Sequence, residues 1–158
     1  MLCTPALHGH TEVECVRLAD YHTLLRFLRA RDYEVSKSCA MYVSHLNWRK
    51  ENGVDSILED FTFTERTPYL QVYPQGYFNT DKNGRPITIQ HLGKIDPKRI
   101  KEITTTERML KYHIQEYERF LKHIAPVCSK VQGRHIDQTF AILDVKGPLL
   151  RGTVMAES

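Results

Sequence analysis

The hydrophobic positions of this chain follow two periods, and the change from one to the other falls between residues 60 and 77. In the first part, Leu24, Leu25, Phe27 and Leu28 gather into a compact amphipathic helix that Asp20 is placed to cap. A second helix is predicted from about Val35 to Lys50, because Val35, Cys39, Tyr42, Val43, Leu46 and Trp48 recur mostly at three or four residues and Asn52-Gly53 supplies a stop. These helices predict an N-terminal helical lobe over residues 20–62, its last turn near Asp60. Residues 1–19 show no strong period and are expected to be a poorly ordered extension. A polar passage with Pro68 and Pro74 is expected to link the lobe to the second part of the chain.

Beyond that passage the period becomes two, in Tyr77-Phe78-Asn79-Thr80 and Ile87-Thr88-Ile89-Gln90, with Asp81-Lys82-Asn83-Gly84 between them. Asn-Gly between β-like runs predicts a hairpin, since both residues tolerate the positive φ of a tight turn. The longest helix is predicted after Pro97, opened by a capping box at Thr104-Thr105-Thr106-Glu107 in which Thr104 bonds the amide of Glu107. Its apolar stripe is Leu110, Ile114, Tyr117, Leu121 and Ile124; Pro126 should kink or interrupt it, and Gly133 should end it. Thr139 to Val145 then reads as a strand buried on both faces, which implies a parallel sheet covered by helices and a right-handed crossover. The expected fold class is α/β. Only thirteen residues come after Val145, and a further parallel strand needs a crossover of about a dozen. Residues 70–147 are therefore expected to form an incomplete α/β domain of a truncated chain, with 148–158 as a tail.

Charge alters this picture only locally. A formal +3 over 158 residues is far from the bias of a dedicated nucleic-acid binder, and no nucleic-acid partner is expected. Arg26, Arg29, Arg49, Lys50 and Trp48 fall on helices whose apolar faces already explain the pattern. Between Lys94 and Arg134, however, ten Lys and Arg stand against five Asp and Glu, an excess that suits either a solvated helix face or an anionic membrane surface. Cys3, Cys15, Cys39 and Cys128 lie far apart, as expected of reduced cytosolic thiols. Cys3, His8, His10 and Cys15 match no zinc-finger spacing, so neither a metal site nor any cofactor is expected. No apolar run of 18 residues and no signal-peptide pattern is present, and a soluble cytoplasmic chain is expected.

No catalytic motif stands out. There is no Gly-x-Ser-x-Gly elbow and no phosphate loop, and Asp137, Asp144, His91 and His135 read as turn and strand-end residues, so the chain is not expected to be an enzyme.

Six segments instead carry a specific resemblance: Thr-Leu-Leu-Arg-Phe-Leu-Arg-Ala-Arg at 23–31, Trp-Arg-Lys at 48–50, Tyr-Pro-Gln-Gly-Tyr at 73–77, Thr-Asp-Lys-Asn-Gly-Arg-Pro at 80–86, Glu-Arg-Met-Leu-Lys at 107–111 and Ile-Leu-Asp-Val-Lys-Gly at 142–147. In this order they resemble the CRAL-TRIO lipid-binding family, closest to its phosphatidylinositol and phosphatidylcholine transfer proteins, over residues 20–147. The resemblance implies phospholipid binding and transfer by the parent protein, work at an anionic membrane surface, and a place peripheral to endomembranes such as the Golgi or to the plasma membrane. It implies that Arg31 approaches an inositol phosphate, a role suited to the guanidinium fork, although Arg31 also reads as a helix-end arginine answering the macrodipole. Tyr77 and Tyr117 match positions where rings line a phosphatidylcholine headgroup, though core packing also fits Tyr117. Thr139 matches a strand hydroxyl facing the pocket. Ala141, two residues on, stands where such proteins can carry a second hydroxyl, and Thr88 stands where an aromatic ring is expected. Both departures weigh against phosphatidylcholine more than against the inositol lipid. The short chain is expected to self-associate if expressed alone and not to enclose a lipid; the other reading is an interaction module that binds anionic membrane or a protein through the helical lobe and the basic helix.

Overall fold

The structure, a computed structural model, describes residues 20–147. It divides into two compact units between Asp55 and Ser56. The expectations for the 1–19 extension, the 148–158 tail and the Cys3, His8, His10, Cys15 group lie outside the described residues.

The first unit is a helix pair. Helix α1 spans Tyr21–Arg29, and the Asp20 carboxylate caps it by accepting from the Thr23 amide at 2.9 Å and from its hydroxyl at 2.8 Å. Asp32 and Tyr33 take positive φ (51° and 62°), turning the chain into α2, Val35–Glu51. Asn52 closes α2 by donating to the Trp48 carbonyl at 2.8 Å, and Gly53 follows at φ 59°. Phe27 packs its ring against Tyr42 and His45, and Leu46 is fully buried; Val35 and Trp48, predicted for the same stripe, are exposed. Nearly buried Arg49 pairs with Asp55.

In the second unit helix α3, Ile57–Asp60, stands where the last turn of the helical lobe is expected, and the expected polar link contains a helix of its own, α4 at Arg66–Val72. Pro68 does not prevent α4 because it lies in the first turn, where the amide it lacks has no helical partner. Strands β1 (Gln75–Thr80) and β2 (Pro86–Gln90) pair antiparallel around Gly84 at φ 74°, whose amide bonds the Asp81 carbonyl at 2.9 Å, so the Asn-Gly hairpin forms as expected.

Helix α5 (Pro97–Ile103) is capped by Asp96 and stops before α6, Thr106–Arg119. Here the sequence reading misplaces the cap by one residue. Thr105 caps α6, accepting from the Arg108 amide at 3.2 Å; Glu107 thereby falls one position short of where a capping box needs its carboxylate. Thr104 instead ends α5 and donates its hydroxyl to Glu65 at 3.4 Å. The predicted stripe also differs: Tyr112, Glu118 and Phe120 are buried, whereas Leu110 and Tyr117 are exposed. A π turn, Phe120–Ile124, then leads into α7, Ala125–Gln132, which ends at Gly133 in the left-handed conformation.

Strand β3, Phe140–Leu143, runs parallel to β2 and gives the order β1-β2-β3. The strand predicted over Thr139 to Val145 is thus present but shorter, and it is not buried on both faces. Phe140, Ile142 and Leu143 are 42%, 43% and 53% exposed, because β3 is an edge with no further strand beside it among the described residues. Its end is fixed by the Asp144 amide donating to the Gln90 carbonyl at 2.8 Å and by His91 Nδ1 against the Asp144 carboxylate at 2.9 Å.

Phe63, Tyr69 and Tyr112 form the core, with Phe63 stacked on Tyr112 at 4.4 Å between centroids. Beside it Arg108 grips the Glu65 carboxylate through Nε (2.6 Å) and Nη2 (2.7 Å), which holds that carboxyl at about 2, against an ordinary 4.5. Between these values the unfolded chain binds the proton more readily. The contribution of Glu65 is therefore complete above about pH 4.5 and is lost as pH falls towards 2. Acid unfolding followed by circular dichroism should show Glu65→Gln losing less stability than the unsubstituted chain across that window; parallel acid limbs would refute it.

Candidate functional site

The sheet brings Gln75 and Tyr77 of β1, Thr88 and Gln90 of β2 and Ala141 of β3 to one face, and a register shift between Tyr77 and Thr80 ends this alternation in β1. Tyr77 is the register partner of Thr88, and Thr88 of Ala141, so these three lie in one row across the sheet. Gln75 and Gln90 pair on the same face one step along, and Thr139 precedes Ala141 by one strand period. This face forms one wall of an open cavity of about 780 Å³.

Helix α6 and the first residue of the π turn supply the opposite wall through His113, Glu116, Tyr117 and Phe120, spaced by three, four and seven residues on one helical face, with Tyr112 and Arg119 beside them. Arg66 enters from the start of α4, and Asp137 and Gln138 from the segment leading into β3. Burial pushes the Tyr77 hydroxyl above its ordinary value, and the Glu116 charge adds to this; Tyr112 is raised in the same way. Both phenols are therefore neutral at physiological pH. Arg119 pairs with Glu116 at 3.2 Å. The two guanidiniums of the cavity, Arg66 and Arg119, are balanced by the carboxylates of Glu116 and Asp137. Such a site offers π faces, neutral hydroxyls and amides, and two forked cations able to meet phosphate oxygens.

Five of the six residues singled out from the sequence, Tyr77, Thr88, Tyr117, Thr139 and Ala141, line this one cavity. Tyr117 is 49% exposed, so core packing does not account for it. Arg31 lies in the other unit, exposed just past α1, with its Nη1 donating to the Ala30 carbonyl at 3.2 Å. The residues grouped as turn and strand-end positions pair two by two. His91 meets Asp144, holding that carboxyl below its usual range, and His135 stands 3.7 Å from Asp137.

Gln75, Gln90, Arg66, His113, Glu116 and Arg119 escaped the sequence reading. A step of two along the strands from Tyr77 and Thr88 reaches both glutamines, and a step of four back from Tyr117 reaches His113. Arg66 gives no signal, because the polar stretch around Pro68 shows no helical period.

The CRAL/TRIO domain matches residues 70–152, more than half of the chain, and the CRAL/TRIO N-terminal domain matches residues 8–44. The chain belongs to the CRAL-TRIO family. Both matches pass the limits suggested by the motifs, reaching back to residue 8 and on to residue 152. Among similar family members are two phosphatidylinositol/phosphatidylcholine transfer proteins of Arabidopsis thaliana, SFH13 and SFH9, which are 52% and 47% identical over 128 residues. That stretch is 81% of this chain but 20% and 22% of theirs. The SEC14 cytosolic factor of Kluyveromyces lactis is 45% identical over 81% of this chain and 42% of its own length. The chain thus spans between about a fifth and two fifths of the CRAL-TRIO relatives it resembles.

Proposed function

We propose that this chain binds phospholipid, phosphatidylinositol and to a lesser extent phosphatidylcholine, as part of a carrier that moves lipid between membranes without altering it chemically. The observation that carries this reading is the convergence of Tyr77, Thr88, Tyr117, Thr139 and Ala141 on one cavity, in a chain 47–52% identical to two proteins named for transfer of these lipids. The headgroup occupies the cavity, with its phosphate against Arg66 or Arg119 and its polar ring among the strand side chains. Arg31, exposed and forked, is proposed to meet a lipid phosphate from the helical unit. The carrier works from the cytoplasm and peripherally at an anionic membrane, at the Golgi or the plasma membrane. No helix among the described residues is long and apolar enough to cross a membrane. Polar and aromatic groups dominate the described cavity, which gives two acyl chains no dry enclosure. The 158-residue chain is therefore proposed to bind a headgroup without transferring the lipid.

The reading is tested by mixing the chain with vesicles that carry a photoactivatable phosphatidylinositol and sequencing the labelled peptides. Label is expected on α6 and β3, falling about tenfold in the double variant Tyr117→Ala, Thr139→Val. Label confined to other segments, or equal in the variant, would overturn it.

A further inference from the structure

We infer that the outer face of α7, where Val127 and Val131 stand exposed among cationic side chains, is a docking surface for an anionic lipid bilayer. The inference rests on the peripheral-membrane part of the reading above and names the surface that makes the contact.

The inner side of α7 is fixed to the fold. Ala125 is buried, the Ser129 hydroxyl donates to the Ala125 carbonyl at 2.7 Å and accepts from the Ile136 amide at 2.8 Å, and Gln132 lies so close to Gly84 that a Cβ there would clash with it. The outer side begins with Val127, and Lys130 and Val131 follow it by three and four residues on the same helical face. The two valines are 63% and 76% exposed. Exposed β-branched residues weaken a helix slightly and here gain no packing in return. A face made only for solvent would be better served by glutamate, lysine or glutamine.

Charge decides the occupant. On α6 the cations Arg108, Lys111 and Arg119 pair with Glu65, Glu107 and Glu116, so the long helix neutralises its own excess. Beyond Glu118 the chain holds no carboxylate until Asp137, while Lys122, His123, Lys130, Arg134 and His135 fall between them. Lys130 makes no ion pair among the described residues. Arg134 donates to the Asn83 carbonyl, which brings the hairpin tip with its exposed Lys82 beside the end of α7. A nucleic acid would satisfy these cations and leave the valines in water. A bilayer takes both, since lipid phosphates meet the cations while the valine side chains enter the interface. The helix also joins Phe120 of one cavity wall to Asp137 beside the other, so a membrane held on this face lies next to the site where a headgroup is proposed to enter.

The test mixes the 158-residue chain with vesicles of phosphatidylcholine, either alone or with about a third phosphatidylserine, and reads co-sedimentation and amide hydrogen exchange. The unsubstituted chain should partition onto the anionic vesicles, show protected α7 amides there, and be released by rising salt. Val127→Ser together with Val131→Ser should weaken partitioning about tenfold, and Lys130→Gln about fivefold. Circular dichroism should not change, because all three side chains are exposed. Unchanged partitioning of the folded double variant, or equal binding to both kinds of vesicle, would overturn the inference while leaving membrane association intact. If the double variant also lowered the apparent mass in size-exclusion chromatography without losing vesicle binding, the face would join copies of the chain and the inference would fall. Binding of neither vesicle by the unsubstituted chain would overturn the peripheral-membrane reading, and the inference with it.

Discussion

Replacing Phe63 by alanine should cost the second unit about 3–5 kcal/mol of unfolding free energy. Phe63 is 6% exposed, stacked on Tyr112 at 4.4 Å and met edge-on by Tyr69 at 5.3 Å. Truncation removes the ring from both partners at once, and the surrounding groups, drawn largely from α4, α5 and α6, cannot close the gap without shifting a helix. Against a typical domain stability of about 5–15 kcal/mol, such a loss brings the unit close to unfolding. Urea denaturation followed by near-ultraviolet circular dichroism of the tyrosines measures it. Phe63→Leu, which keeps most of the apolar volume, should cost about 1.5 kcal/mol or less. A cost below about 1 kcal/mol for the alanine variant would show that this aromatic cluster does not hold α4 to α6. The consequence reaches the site, because Tyr112 and Arg66 of the cavity stand on those same helices.

The second large effect concerns association. Strand β3 leaves Phe140, Ile142, Leu143 and nearby Val145 between 42% and 53% exposed on an edge without a strand partner among the described residues. Unpaired strand amides beside apolar side chains form a template for pairing with another copy. The Arg85 guanidinium over the Phe140 ring, 5.5 Å from its centroid, covers only one of these groups. At tens of micromolar the 158-residue chain should elute in size-exclusion chromatography at an apparent mass at least about twofold above that of a monomer. Ile142→Lys should return it to the monomer, since a charge in the middle of the edge opposes pairing. A sharp monomer peak without the substitution would remove the exposed strand as a cause of association.

The range over which each signal acts decides how much of the fold and the site was legible in the sequence. The Asp20 cap, the Asn83-Gly84 turn and the Gly133 stop are set by neighbouring residues, and each stands where the sequence places it. The α6 cap is also local, yet three consecutive threonines offered three frames; the choice of Thr105 goes with the Thr104 hydroxyl reaching Glu65, a contact 39 residues away in sequence. The α6 stripe failed for a similar reason. Tyr112 is buried because Phe63 and Tyr69 lie against it, and Tyr117 faces the cavity, neither of which periodicity alone reveals. The family resemblance pointed to five wall residues, of which Tyr77 alone lies inside one of the six motifs. A two-residue step from Tyr77 and Thr88 reaches the glutamines, but their pairing across the strands comes from the register of β1 on β2, which is set only once the hairpin is folded.

The π turn at Phe120–Ile124 carries a consequence for change by insertion and deletion. Ala125 donates its amide to the Phe120 carbonyl, five residues back, and the wider turn makes room for the Pro126 ring. It also sets the phase of the chain beyond it. Ser129 on α7 accepts from the Ile136 amide at 2.8 Å, and Ile136, 3% exposed, starts the run into β3. Removing one residue from the π turn would restore uniform winding and rotate α7 by about 100° relative to α6, carrying Ser129 and Ile136 round together and β3 from its place beside β2. Substitutions along this helix change one side chain each, whereas a single-residue deletion would change the heading of every residue downstream.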